Sequence, residues 1–138
     1  MDRLYSEQGE AGVAEEVRIP IASEADILTA RRLGRDLADK LGFWSVEKMF
    51  IAMAISEIAL NIIQYAGKGE IILGTAERGD GTRGILIIAR DQGPGIENPE
   101  LAMQKGYGLS GAKRLMDEFE IYSEPGRGTT VIMKKWVR

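Results

Sequence analysis

The sequence contains no cysteine and no histidine in 138 residues. Without cysteine there is no disulfide, no thiolate zinc site and no cysteine nucleophile. Without histidine there is no imidazole metal ligand, and any general base must be Asp, Glu or Lys. Positive charge is also short: 18 Lys and Arg stand against 21 Asp and Glu, for a net charge of −3 and a pI of about 5.1. Nucleic acids and anionic membranes demand a basic surplus, so neither is expected as a partner. No stretch is expected to approach the roughly 18 apolar residues of a transmembrane helix, and residues 1–16 lack an apolar signal core. The expected location is therefore the cytoplasm.

Hydrophobic residues make up 44% and charged residues 28% of the chain, ordinary values for one globular domain with a real core. Residues 1–16 read as a loose, flexible tail, and residues 17–138 as the domain. Residues 17–21 suit a short strand, with Pro20 pointing to a sheet edge. Ser23 and Asp26 form a capping-box pattern, and Ile27, Ala30, Leu33 and Leu37 share one face of a helix ending at Leu41 before Gly42. Ser45 is placed to cap a second helix, to about Tyr65, that is apolar on more than one face. Strands are expected at 70–78 and 85–90 around a Gly79-Asp80-Gly81 hairpin. A helix at about 109–118 and strands at 119–123 and 129–137 follow. The order β-α-α-β-β-α-β-β implies an α/β (α+β) two-layer sandwich, a mostly antiparallel sheet with helices on one face.

Four short motifs carry chemistry. Glu57 and Asn61 are four apart, hence on one helix face. Such pairs commonly just meet solvent. The functional alternative has Asn61 offering a carboxamide oxygen to magnesium, and Glu57 orienting or deprotonating an attacking hydroxyl. Asp91-Gln-Gly-Pro-Gly95 follows an apolar strand. It could be a plain turn. Alternatively, Asp91 accepts a hydrogen bond from the exocyclic amine of adenine, where guanine offers only an acceptor, and Gly93 and Gly95 allow close approach. Gly106-Tyr-Gly108-Leu-Ser-Gly111 opens a helix, either as a flexible start or as amide donors for phosphate. Arg127-Gly-Thr-Thr130 stands at the start of the last strand; it could be an ordinary turn followed by β-branched residues, or could equally place a threonine hydroxyl near the base.

The order of these four elements resembles the GHKL ATPase superfamily of gyrases, histidine kinases and heat-shock chaperones, with its Bergerat nucleotide fold. Within it, Ala30-Arg-Arg-Leu-Gly34, Tyr65-Ala-Gly-Lys-Gly69, residues 91–96 and Lys113-Arg-Leu-Met-Asp-Glu-Phe119 are similar to the small serine/threonine kinases that act as anti-sigma factors and stressosome switch proteins. The resemblance implies ATP and Mg2+ as cofactors, Glu57 as general base and Asn61 as magnesium ligand. It makes Asp91 and Thr129 the adenine contacts, with Gly93, Gly95 and Ile96 shaping that pocket. Gly106, Gly108 and Leu109 fall on the phosphate side. It further implies a STAS-domain protein as substrate and a PP2C-type phosphatase as downstream partner. The segment 97–105, nine residues, is shorter than the family's lid. Rival expectations are a non-catalytic nucleotide-binding protein acting by sequestration, an anti-sigma factor, and a histidine-kinase ATPase domain. The absence of histidine counts against the last.

Overall fold

The computed structural model describes residues 14–96 and 109–138. The described elements are β1 (Ala14–Ile21), α1 (Glu24–Leu41), α2 (Ser45–Ala66), β2 (Gly69–Glu77), β3 (Arg83–Asp91), α3 (Leu109–Leu115), β4 (Glu118–Glu124) and β5 (Gly128–Trp136). The strands form one antiparallel sheet in the order β1-β2-β3-β5-β4. The two-layer α+β architecture expected from the element order is the one observed.

Local chemistry explains most boundaries. The Asp26 carboxylate accepts from the backbone N–H groups of Ala22 and Ser23, which starts α1. Gly42, at φ 95, ends it in the left-handed region. The β2–β3 hairpin closes through Gly81 at φ 86 and the Asp80 carboxylate, which accepts from Thr82 N–H at 2.9 Å.

Four expectations are corrected. β1 begins at Ala14, which pairs with Thr75 beyond a bulge, so the strand takes in residues assigned to the tail. Ser45 is the first helical residue, and Trp44 holds the cap position without a side-chain bond. α3 stops at Leu115 because Asp117 N–H donates to Lys134 C=O at 3.0 Å and Glu118 enters register with Lys134, so the sheet takes the chain from the helix. Finally, α2 is long and apolar enough, by length and composition, to cross a bilayer. The reason is its position: Ile51, Ile55, Ile58 and Ile62 are buried in the core between the helices and the sheet.

The sheet is apolar on both faces. Ile71, Leu73, Ile85, Ile87, Val131 and Met133 pack with the helices, while Ile72, Leu86, Ile88, Ile132 and Trp136 form a second buried cluster from alternate positions. On the helix side, Gly34 lets α1 close onto α2, since a Cβ there would meet the side chain of Ile55.

Candidate nucleotide site

The C-terminal half of α2 brings Glu57 and Asn61 to the end of the sheet where β3 finishes. Two glycines make that approach possible. A Cβ at Gly69 would stand 2.9 Å from Ile62 Cγ2 and 3.1 Å from Asp91 Cβ, so the first residue of β2 is the spacer between α2 and Asp91. A Cβ at Gly93 would meet Ala66, at the end of α2, at 2.6 Å. Asp91 and Thr129 are register partners across β3 and β5. Both stand at odd positions with Ile87, Ala89 and Val131, so their side chains project to the helix side of the sheet. Asn61 and Thr129 are each 6% exposed.

The Asp91 turn is anchored by its own residues. Asp91 Oδ1 accepts from Gly93 N–H at 2.9 Å. Ile96 N–H donates to Ser123 Oγ at 2.6 Å, and Ser123 Oγ lies 2.8 Å from Thr129 Oγ1 and donates to Gly128 C=O at 3.1 Å. Pro94 C=O accepts from Gly126 N–H at 2.7 Å. Gly95, at φ 80, and Gly128, at φ 94, each have backbone where a Cβ would lie: Glu124 against the first, Asp91 and Gln92 against the second. The turns at 91–96 and 124–128 are thus packed backbone to backbone. Gly93 and Gly95 shape the wall by packing it.

Glu57 lies between α2 and α3. Its carboxylate accepts from Ala112 N–H in the first turn of α3, and its Oε2 is buried with no hydrogen-bond partner among the described residues. Burial raises its pKa above the ordinary 4.5, against the smaller opposing effects of the Ala112 amide and the Arg114 charge. At the far end of α3, Lys135 Nζ donates to Leu115 C=O at 2.9 Å. A carboxylate at the first turn and an ammonium at the last both oppose the helix dipole.

Ile96 packs its side chain on the core as well as donating to Ser123. Leu109 is 0% exposed, so its side chain belongs to the core and only its backbone remains to face a ligand. Gly106, Gly108 and the lid segment 97–105 lie outside the described residues. Ser123 and Lys135 carry no sequence signal of a site, and Gly111 carries only that of the last glycine in the 106–111 motif. Ser123 sits in a β4 that alternates half-buried and exposed, a pattern that signals only a sheet edge.

A magnesium ion fits the donor set in one way. No group of three or more acidic side chains gathers among the described residues. A single carboxamide, Asn61, suits an ion held mainly by phosphate oxygens and water. A hollow of about 590 Å³ also touches Asp91, but its walls include Glu70, Arg90 and Thr130, on the sheet face away from Glu57. It is a different feature from the cleft beside α2.

Residues 21–135 match the histidine kinase-like ATPase domain family. The chain is 47% identical over 129 residues to the serine/threonine-protein kinase RsbT of Bacillus subtilis, covering 87% of this chain and 96% of that one. It is 36% identical over 98 residues to an anti-sigma F factor of Clostridium acetobutylicum, covering 62% and 67%. A chain in the crystal structure of the SiaB-SiaC complex from Pseudomonas aeruginosa shares the fold, with a TM-score of 0.54 at 12% identity over 97% of this chain and 94% of that one.

Proposed function

The chain belongs to the histidine kinase-like ATPase domain family, and from that premise we propose that it is a serine/threonine protein kinase of the partner-switching kind. It uses Mg-ATP to phosphorylate a STAS-domain protein in the cytoplasm, and is then released to engage a downstream effector such as a PP2C-type phosphatase. The observation that carries this is Glu57: a half-buried carboxylate with an unpartnered Oε2, one helical turn from Asn61, at the sheet end that presents Asp91 and Thr129. A nucleotide binder has no use for a base there. The 47% identity to a serine/threonine-protein kinase supports the same reading.

The Asp91 carboxylate accepts from the adenine amine, and Thr129 and Ser123 fix the neighbouring wall. Asn61 would hold magnesium, which supplies charge neutralisation on the phosphates. Glu57 takes the proton of the substrate hydroxyl. The hydroxyl oxygen bonds to the γ-phosphorus, and the bond from that phosphorus to the bridging oxygen breaks with its electrons leaving on ADP.

The test is incubation with γ-labelled ATP, magnesium and STAS-domain proteins of the same genome. Label on a serine or threonine of one of them, lost with Glu57→Ala, is the expected result. Nucleotide binding without transfer to any of them would overturn it. The identity to an anti-sigma F factor favours a second reading, sequestration of a sigma subunit. Co-purification of sigma subunits in the presence of ATP separates the two.

A further inference from the structure

Glu57 and Gly111 face each other across the contact between α2 and α3. A Cβ built on Gly111 would stand 2.5 Å from Glu57 Oε2, 2.8 Å from Oε1 and 3.0 Å from Cδ. The carboxylate therefore fills the volume that any side chain at 111 would need. Its wall is firm, because Leu109 and Ala112 are fully buried on either side of Gly111 and Lys135 Nζ holds Leu115 C=O at the other end of α3. The carboxylate, at the end of a flexible side chain, is the part able to move.

We propose that Gly111 is a positioning residue for Glu57. Its missing side chain lets the carboxylate lie flat on the α3 backbone, where Ala112 N–H binds it and Oε2 is buried against Gly111 without a hydrogen-bond partner among the described residues, leaving it free to take up a proton. This rests on the general-base role assigned to Glu57. A methyl group at 111 displaces both carboxylate oxygens, and the three atoms nearest to it all belong to Glu57. The chemical step suffers and nucleotide binding does not. Glycine is otherwise a poor choice in a helix, where alanine is favoured by about 1 kcal/mol.

The test is a double-mutant cycle of Gly111→Ala and Glu57→Ala, read in three ways. Single-turnover transfer in Gly111→Ala is expected to fall on the order of 100-fold, the usual consequence of moving a catalytic group by about 1 Å. ADP affinity and the KM for ATP should stay within about twofold. In the Glu57→Ala background, adding Gly111→Ala should cost no further activity, and it should raise the melting temperature that it lowers or leaves unchanged when Glu57 is present. Full activity in Gly111→Ala, or an additive loss in the double variant, overturns the positioning role. The melting cycle stands apart from the chemistry. No thermal coupling would refute the Glu57–Gly111 contact even where Glu57→Ala is inactive. Full activity of Glu57→Ala would refute the base, and this role with it, even where the coupling is present.

Discussion

At the scale of the residue, Glu57 is a half-buried carboxylate whose Oε2 has no hydrogen-bond partner among the described residues. Its pKa is raised by burial, and a base must be ionised to act. Transfer should therefore fall as pH falls through a value above 4.5, seen as an acid limb in a single-turnover pH profile. The stability sign is opposite to that of a salt-bridged carboxylate. Between 4.5 and the raised value the folded state binds more proton than the unfolded one, so this group's contribution fades as pH rises through that window. Glu57→Ala should lower transfer about 10²–10⁴-fold while leaving ATP affinity near wild type by calorimetry. Asn61→Ala should lose the magnesium-dependent part of ATP binding, seen by calorimetry with and without the metal. Asp91→Asn is a clean probe, because the amide keeps an Oδ1 to accept from Gly93 N–H and so preserves the turn. It should weaken ATP binding by roughly 1.5–3 kcal/mol, the value of a hydrogen bond to a charged group. Undiminished affinity would place the base elsewhere.

At the scale of the element, the site depends on loops packed through glycine. Gly128 sits at φ 94 with Asp91 and Gln92 backbone where a Cβ would go. Neither neighbour can rotate away as a side chain would. Gly128→Ala should destabilise the domain by roughly 2 kcal/mol or more, since backbone strain and a backbone collision combine there. It should also weaken nucleotide binding by moving Asp91. Urea denaturation and calorimetry check the two effects. The helices were the most legible elements, because caps and periodicity are local: Ser23 with Asp26 and Gly42 bracket α1 as expected. The end of α3 was not legible. Lys113 to Glu118 continues an acceptable helical pattern, and only the pairing of Glu118 with Lys134 shows where it stops.

At the scale of the whole molecule, the sheet separates two buried clusters. Ile87 packs under the helices, and Ile88 is buried on the other face at 2% exposure. Replacing either with alanine should cost about 2–5 kcal/mol in urea denaturation. A value under 0.5 kcal/mol for Ile88→Ala would mean that its face is open to water in solution. The runs Ile71-Ile72-Leu73 and 85–89 carry this two-sided burial openly, since a strand wetted on one side would alternate with polar residues. The order of elements implies helices on one face alone, and the second cluster shows that the opposite face is buried as well.

The sequence by itself determined the order of elements, the caps of α1, the antiparallel sheet and the positions of Glu57, Asn61, Asp91 and Thr129. All of these are written in local spacing, periodicity and motif order. Only the tertiary structure decided what surrounds them. Gly111 touches Glu57 from another helix, Lys135 reaches Leu115 from the last strand, Ser123 joins Ile96 to Gly128, and Gly128 sits on Asp91. Each pair is joined by chain closure or packing between distant segments. No local pattern of side chains encodes such a contact, because it comes into being only when the sheet register and the helix packing fix both partners at once.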